Sequence, residues 1–544
     1  MNGMTTTWNG AASHATTGSA LLDLFYAASR GIEEARLATL AAEAYKEDPL
    51  VRIATAKIAA YVRDVRGGKG ERSVGRMLLA WLAVHDPALA IHNLPLFANT
   101  YGRFDDVLAV LPPVEKIKEA TTSTTSNSPV AAAVYNLWAS QLETDLAELS
   151  KNPNSAKISL AAKWIPSENK AGDKKYGITK NLTRALSLKN NSELRKVYLT
   201  PLRKRLALLE SFMCAKDWDA IQFQNVPSVA MKIHGGKNKV FEKRTGERFT
   251  AYKEGLSKGT TKVNAKDLFP HEIVNQYIGY GASVNELLEA QWRIILEKGS
   301  ELGDLSSVLV MSDVSSSMRG LPMQISIALG VLVSQLTSAE WKGLVMTFEA
   351  TPRFHLVQGK TLKEQVDCLA KAPWGGNTNF LAALDLILAT ATKNKLAADA
   401  MPKKLIVISD MQFDSANGSA QGTNYDALMA RYIAAGYKVP HLVFWNVNGS
   451  TSDYPTTNVM PNVSLISGYS PAVLKAVLKG VEITPYLTMM NALSDARYEL
   501  ITLPPVEEDT EISEAQHDGD VSGGSGGRGG LAAVEKEVQK IAII

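Results

Sequence analysis

The chain has 544 residues, of which 45% are hydrophobic and 21% are charged, so it is long enough for two or more globular domains. Its two cysteines, Cys214 and Cys368, lie far apart without a CxxC motif, which argues against a disulfide scaffold and a zinc ribbon. The chain shows no secretory signal pattern and no stretch of about 18 apolar residues, so we expect a cytoplasmic protein without a membrane span.

The net charge of +3 is unevenly distributed along the chain. Residues 1–300 hold 40 basic and 30 acidic side chains, whereas residues 301–544 hold 18 basic and 25 acidic ones. The two parts therefore carry net charges of +10 and −7. A basic first part favours an anionic partner, with nucleic acid as the leading candidate, although the solvated faces of ordinary helices give the same balance.

Helical patterns occupy most of residues 20–300, after an extended segment at residues 1–19 that is rich in Thr, Ser, Gly and Asn. Asp48-Pro49 and Asp86-Pro87 are typical helix starts, because an acidic N-cap is followed by proline at the first helical position. Strand-like alternation is scarce in this part of the chain. We therefore predict an all-α helical-repeat domain of the HEAT type over residues 20–300.

The turn Arg63–Arg72, with the sequence RDVRGGKGER, joins two of the predicted helices. Its glycines let backbone amides approach an anion, and its basic side chains are suited to phosphate. It lacks the GK[ST] of a P-loop, so nucleotide binding by that motif is not expected, and an ordinary turn with solvated charges is the alternative. The candidate RNA-binding residues in the turn are Arg63, Arg66, Lys69 and Arg72.

Two further basic clusters follow, at residues 194–209 and 228–262. Trp164 and Trp218 lie near them in sequence, and aromatic side chains among basic ones suit single-stranded RNA, although core packing is the reading that we favour for the tryptophans. The candidate RNA-binding residues are Arg195, Lys196, Arg203, Lys204 and Arg205 in the first cluster and Lys237, Lys239, Lys243 and Arg244 in the second.

From Leu305 the periodicity changes to strands that alternate with helices, which predicts a doubly wound α/β domain with a parallel sheet over residues 301–503. Parallel strands are predicted at Val308–Met311, Leu344–Phe348, Leu405–Ser409 and Leu442–Asn446. Arg353–Val357 is predicted to be an antiparallel edge strand, and Val463–Ile466 is predicted to close the sheet. The tail at residues 504–544 is acidic and then Gly-rich, which predicts disorder.

Side chains that carry oxygen stand where the predicted strands end. Asp313, Ser315 and Ser317 alternate directly after the first strand, and Asp410 follows the strand Leu405–Ser409. Thr378 lies in a Gly-rich loop that precedes a predicted helix. Hard oxygen ligands at the carboxyl ends of parallel strands are suited to Mg²⁺. The sequence therefore predicts a binding site for one Mg²⁺ ion at this edge.

This set of positions resembles the metal-ion-dependent adhesion site of the von Willebrand factor A domain, where a DxSxS motif, a later Thr and a later Asp hold one divalent cation. The resemblance implies that the metal ligands are Asp313, Ser315, Ser317, Thr378 and Asp410. The order of the two domains, across roughly residues 20–500, resembles the Ro autoantigen (TROVE) family and most closely a separate Ro-like branch. That resemblance implies a monomeric, ring-shaped helical region that binds non-coding or misfolded RNA.

Three functions are compatible with these patterns. The leading prediction is a non-catalytic scaffold, whose basic ring binds structured RNA with single-stranded ends and whose A domain docks a protein partner through Mg²⁺. The alternative is a von Willebrand factor A partner module of a MoxR-type AAA+ ATPase. A hydrolase is disfavoured, because Ser315 stands where haloacid-type phosphatases have their second Asp, and no GxSxG elbow follows a predicted strand.

Overall fold

The computed structural model describes two regions that the sequence predicts, a helical region followed by an α/β region. The described residues are 4–7, 12–111, 128–265, 268–279, 282–313, 315–338, 340–347, 349, 351–372, 380–411, 421–478 and 484–505. Both predicted fold classes are confirmed. A short antiparallel hairpin of β1 (Met4–Thr6) and β2 (Ala12–His14) precedes the first helix.

The helical region extends from residue 20 to residue 302. Its α-helices are α1 (Ala20–Ala27), α2 (Glu34–Ala44), α3 (Pro49–Arg63), α4 (Arg72–His85), α5 (Pro87–Leu96), α6 (Pro129–Lys151), α7 (Ala161–Trp164), α8 (Ala171–Tyr176), α9 (Ile178–Ala185), α10 (Asn191–Glu193), α11 (Thr200–Arg205), α12 (Leu209–Ala215), α13 (Ser228–His234), α14 (Val240–Ser257), α15 (Pro270–Val274) and α16 (Glu286–Gly299). Among the described helices, none has the combination of length and apolar character that crossing a bilayer requires.

The two predicted helix starts are confirmed in detail. The Asp48 carboxylate accepts a hydrogen bond from the Leu50 amide at 2.9 Å at the start of α3. The Asp86 carboxylate accepts one from the Leu89 amide at 3.1 Å at the start of α5. Each acid satisfies an amide that has no partner within its own helix, which is why the aspartate–proline pair marks the start of a helix.

The α/β region is built around a six-stranded sheet in the order β5-β4-β3-β6-β7-β8. The strands are β3 (Val308–Ser312), β4 (Leu344–Thr347), β5 (Phe354–Leu356), β6 (Lys404–Ser409), β7 (His441–Asn446) and β8 (Val463–Ser467). All neighbouring pairs are parallel except β4 with the edge strand β5. The predicted strands, the antiparallel edge and the closing strand are therefore confirmed.

Helices cover this sheet, and one of them is shared with the helical region. The helices are α17 (Leu321–Leu336), α18 (Leu362–Ala370), α19 (Phe380–Asn394), α20 (Gln421–Ala434), α21 (Leu474–Leu478) and α22 (Pro485–Leu493). Helix α17 is buried at every position from 325 to 334, because it lies between β3 and the short helix α15. A helix that is apolar on all sides needs packing partners on all sides, and here the helical region supplies one of them.

Contacts between the two regions continue along the chain. One apolar core includes side chains from both regions, from Leu22 to Ile501. The Asn93 amide group donates to the Thr502 carbonyl at 2.9 Å, and the Tyr101 hydroxyl donates to the Arg497 carbonyl at 2.7 Å. The helical region and the sheet therefore hold each other in place through apolar packing and through specific hydrogen bonds.

Among the histidines that the structure describes, His271 and His441 are buried, each with 5% of its surface exposed. His441 begins β7, and burial together with the nearby Lys404 lowers the pKa of His441 to about 4. His271 lies in α15, where burial lowers its pKa to about 4 although the adjacent Glu272 opposes the shift. Both imidazoles are therefore neutral at physiological pH.

Acidification from pH 6.5 towards pH 4 is expected to reduce the free energy of unfolding by up to about 1.4 kcal/mol per pH unit for each of these histidines. The unfolded chain takes up the proton near pH 6.5, whereas the folded chain takes it up only near pH 4, so stability falls between these values. Urea unfolding at pH 7, 6 and 5 measures the slope. His441→Gln should flatten the slope, while His92→Gln, which changes an exposed histidine, should leave it unchanged. A slope that His441→Gln does not alter would contradict this account.

Candidate metal centre and nucleic-acid interface

Two of the predicted metal ligands follow neighbouring strands of the sheet. Strands β3 and β6 are parallel, with Ser312 paired to Ile408, so Asp313 and Asp410 leave the sheet at the same edge. The Asp313 amide continues the pairing by donating to the Ile408 carbonyl at 2.9 Å. Both carboxylates are buried, each with 2% of the residue surface exposed. Because β3 and β6 are parallel and adjacent, the loops that follow them lie at the same edge of the sheet, as the sequence predicts.

Neutral groups donate the hydrogen bonds that hold the Asp313 carboxylate. The Ser409 hydroxyl donates to Oδ2 at 2.7 Å, and the Ser315 amide donates to Oδ1 at 2.8 Å. Burial raises the pKa of Asp313 to about 6; the hydrogen bonds from Ser409 and Ser315 oppose the shift, and the negative charge of Asp410 adds to it. A divalent cation beside these two carboxylates would reduce the electrostatic cost of burying them.

The two serine hydroxyls of the DxSxS motif are hydrogen-bonded to each other in the loop after β3. Ser315 is half-buried, Ser317 is exposed, and their Oγ atoms lie 3.0 Å apart. Two adjacent ligands of an octahedral Mg²⁺, each about 2.1 Å from the ion, lie about 3.0 Å from one another. The spacing of the hydroxyls therefore fits two neighbouring positions in the coordination shell of Mg²⁺.

Among the described residues, Asp313 and Asp410 supply the two carboxylates of this edge, and this fits a ligand set that is completed by hydroxyls. Within the described part of the chain, no group of three or more His, Cys, Asp or Glu side chains is arranged to hold a metal ion. Thr378, the remaining predicted ligand, lies outside the described residues. We use the name Asp313 edge for Asp313, Ser315, Ser317, Ser409 and Asp410.

Ser409 is a member of this edge that sequence reasoning missed. Its hydroxyl donates to Asp313 and accepts from the Met411 amide at 3.1 Å. Met411 has a φ of 64°, in the left-handed region that costs a non-glycine residue about 1–3 kcal/mol. The sequence signal for Ser409 was a serine at the end of a predicted strand whose preceding residues are apolar. Ser409 positions Asp313 and the loop that carries Asp410.

The turn Arg63–Arg72 has a different role from the predicted one. Arg63 is 6% exposed, and its Nε donates to the Asp106 carboxylate at 2.7 Å. Arg76 and Arg72 donate to the same carboxylate at 2.6 and 3.3 Å. Burial opposes ionisation of Asp106, but Arg63 and Arg76 outweigh it and hold the pKa of Asp106 below its usual value. Arg72 is exposed, and it also forms an ion pair with Asp105.

Lys69 is also inside the protein, with 1% of its surface exposed. Its ammonium group donates to the Ala28 carbonyl at 3.0 Å, to the Ser467 hydroxyl at 2.7 Å and to the Phe25 carbonyl. Lys69 thus joins the end of α1 to the end of β8. The structure corrects the assignment of Arg63 and Lys69 as RNA-binding residues, because both side chains are buried and bonded to protein groups.

The remaining basic candidates differ in their exposure. Arg203 is half-buried and donates to the Ala162 and Ile165 carbonyls at 2.9 and 2.7 Å, which gives it a structural role. Arg205 is half-buried as well. The exposed candidates are Arg66, Arg72, Arg195, Lys196, Lys204, Lys237, Lys239, Lys243 and Arg244. A polyanion can therefore reach nine of the predicted side chains.

The two tryptophans near the basic clusters are partly buried and pack against apolar cores. The Arg103 guanidinium lies 3.8 Å from the centre of the Trp164 ring, and the Arg244 guanidinium lies 6.0 Å from that of Trp218. Protein groups therefore already occupy at least one face of the Trp164 ring. The packing interpretation of the tryptophans is the one that the structure supports.

Comparison with known proteins assigns a family to both regions. Residues 7–124 and 113–305 match a family model described as a domain of unknown function (DUF2828), and residues 307–500 match one described as a domain of unknown function (DUF7788). The chain is also 32% identical over 507 residues to an uncharacterized protein of Acanthamoeba polyphaga mimivirus, a match that spans 91% of this chain and 88% of that protein. Neither family description names Ro proteins. The chain belongs to the DUF2828 family and carries a DUF7788 domain after its helical region.

Proposed function

We propose that the protein is a non-catalytic scaffold that binds Mg²⁺ at the Asp313 edge and docks a protein partner through that ion. The observation that carries the proposal is the buried Asp313 carboxylate beside Asp410, with two hydroxyls 3.0 Å apart on the open side. Because Ser317 is exposed, a carboxylate of a partner can approach from solvent and complete an octahedral set of oxygen ligands.

The scaffold would use its helical region to bind RNA, as the resemblance to Ro proteins suggests. This part of the proposal is supported by the exposed basic side chains, of which Arg195, Lys196 and Lys204 lie within ten residues of sequence. Clustered cations attract the phosphate backbone without regard to base sequence, and the attraction weakens as salt rises. Single-stranded ends of a structured RNA are the expected ligand.

Reversing the charge of Arg195, Lys196 and Lys204 to Glu is expected to weaken binding of a single-stranded RNA oligonucleotide. If each cation contacts one phosphate, the slope of log K against log salt should become shallower by about 2, since each contact contributes about 0.7. Fluorescence anisotropy between 50 and 200 mM KCl measures both quantities.

The matched control reverses Lys393, Lys395 and Lys403, three exposed lysines of the α/β region, to Glu. It changes the net charge by the same amount and should keep most of the affinity. Equal losses in the two triple variants would show that net charge, and not this surface, determines binding. Sequencing of RNA that copurifies with the wild-type chain at moderate salt would identify the natural ligand.

A further inference from the structure

A polar cavity lies between the Arg63–Arg72 turn and the helices α21 and α22. Its volume is about 190 Å³, and it is open to solvent on one side. Its polar walls include Arg66 from the turn, Lys475 from α21, Asn491 from α22, and Asp495 and Arg497 just after α22. An apolar protein cavity of roughly 150 Å³ accommodates benzene, so this space is large enough for a small charged ligand. We call it the Arg66 pocket.

Arg497, one of the three cations that line the pocket, already forms hydrogen bonds with other groups of the protein. Its guanidinium donates to both carboxylate oxygens of Asp64, at 3.0 Å to Oδ1, and to the Thr100 carbonyl at 2.7 Å. Asp64 also accepts from the Tyr498 hydroxyl at 3.1 Å. This buried cluster forms the floor of the pocket, and it holds the turn against the end of the α/β region.

The other two cations that line the pocket, Arg66 and Lys475, are not paired in this way. Within the part of the chain that the structure describes, neither Arg66 nor Lys475 forms an ion pair with a carboxylate. Arg66 is exposed and Lys475 is half-buried, so both can reach a ligand. Asp495 brings one negative charge to the same wall, and its Oδ1 accepts from the Arg497 amide at 3.1 Å. Arg66, Lys475 and Asp495 together carry a net charge of +1.

The absence of a side chain at Gly67 lets the Arg63–Arg72 turn pack closely against Asp64 and Arg497, which form the floor of the pocket. A Cβ atom at this position would lie 2.9 Å from Cδ of Arg497 and 3.0 Å from Oδ2 of Asp64. Any larger residue would therefore displace the buried cluster or lift the turn that carries Arg66. The glycine of the turn, which the sequence suggested as an approach for an anion, here permits close packing beneath the Arg66 pocket.

We propose that the Arg66 pocket binds a phosphate monoester of a compound that carries hydroxyl groups, such as a nucleoside monophosphate. An arginine fork and a lysine ammonium are the side chains that grip a phosphate dianion. The Asn491 amide can donate to an ester oxygen, and the Asp495 carboxylate can accept from a ligand hydroxyl. A small polar wall of this kind selects a small charged ligand over an extended apolar cofactor. This site is separate from the Asp313 edge and does not depend on the function proposed for it.

The test uses the full chain and isothermal titration calorimetry with adenosine 5′-monophosphate, inorganic phosphate and adenosine. The expected result is saturable binding of the monophosphate, weaker binding of inorganic phosphate and none of adenosine. Arg66→Gln combined with Lys475→Gln should weaken monophosphate binding at least tenfold, the loss expected from one charge-assisted hydrogen bond of about 1.4 kcal/mol or more. Lys393→Gln, which removes an exposed cation of the α/β region, should leave binding unchanged.

The proposal would be overturned by equal binding of adenosine and its monophosphate, or by undiminished binding in the double variant with a wild-type circular dichroism spectrum. Competition with an RNA oligonucleotide distinguishes two sources of the phosphate. If a 5′-phosphorylated oligonucleotide displaces the monophosphate and its 5′-hydroxyl form does not, the pocket holds an RNA end. If neither oligonucleotide competes, the ligand is a free metabolite; the pocket is a phosphate site in both cases.

Discussion

Asp106→Asn is expected to reduce the free energy of unfolding by about 3–5 kcal/mol, which is the usual effect of removing one partner from a buried ion pair. The Asp106 carboxylate accepts hydrogen bonds from Arg63, Arg72 and Arg76, and Arg63 is 6% exposed. An asparagine has nearly the same shape but no charge, so the Arg63 guanidinium would remain buried without compensation. Urea unfolding followed by circular dichroism at pH 7 measures the change.

Asp105 provides the matched control, because it is the adjacent carboxylate, is half-buried, and pairs with Arg72, Arg76 and Arg103, which are all partly exposed to solvent. Asp105→Asn should cost no more than about 1 kcal/mol, as exposed pairs do. The double variant Arg63→Met/Asp106→Leu should lose less free energy of unfolding than the sum of the losses in Asp106→Asn and Arg63→Met. The reason is that the double variant leaves no unpaired buried charge. Similar effects of Asp105→Asn and Asp106→Asn would show that the cluster behaves as a surface network.

The same cluster shows why the helical region was harder to interpret from sequence than the sheet. Charged residues are almost always exposed, so RDVRGGKGER looked like a solvated or ligand-binding turn. The partners that bury it are distant: Asp106 is 43 residues from Arg63, and Ser467 is 398 residues from Lys69. No local pattern encodes such pairings. The structural role of Arg203 was not predicted for a related reason, because the backbone carbonyls that it binds leave no trace in the sequence.

The sheet and the Asp313 edge were predictable because their determinants are local. Four apolar runs flanked by turns predicted the parallel strands within one or two residues, and buried strands of this kind require helices on both faces. Once the strands are parallel and adjacent, the residues after them share an edge, which brings Asp313 and Asp410 together. A serine at the end of an apolar strand was the local signal for Ser409, but its hydrogen bond to Asp313 depends on the register between β3 and β6, which no local pattern specifies.

The junction between the regions affects how the proposed scaffold would work. Lys69 bonds to Ser467 at the end of β8, and Arg497 bonds to Asp64 in the turn, so the sheet edge and the helical region meet through buried polar contacts. A partner that docks at the Asp313 edge would therefore bind a domain that is fixed against the helical region, for which RNA binding is proposed. The two ligands would be held at a defined distance, which is what a scaffold needs.

Asp313→Asn is expected to abolish Mg²⁺ binding while leaving the fold intact. The substitution removes the charge of the buried carboxylate and keeps one acceptor oxygen for the Ser315 amide, while its new amide group can donate to the Ser409 hydroxyl oxygen. Without Mg²⁺ the variant should be at least as stable as the wild type, because Asp313 has 2% of its surface exposed and its hydrogen-bond donors are neutral. At a Mg²⁺ concentration about 100 times the Kd, the wild type alone should gain about 2.7 kcal/mol. Thermal unfolding with and without EDTA, together with calorimetric Mg²⁺ titration, measures these effects.

Two further variants separate metal binding from general electrostatics. Ser409→Ala removes the group that orients Asp313 and should weaken Mg²⁺ binding about 10–100-fold, as loss of a supporting hydrogen bond does at metal sites. Asp304→Asn makes the same chemical change at an exposed carboxylate before the opposite end of β3, so it should bind Mg²⁺ like the wild type. If Asp313→Asn still gained stability from Mg²⁺, or if Asp304→Asn lost the gain, the ion would be bound elsewhere. The docking of a carboxylate at the Asp313 edge would then have no physical basis, because the open coordination position exists only if the ion is held there.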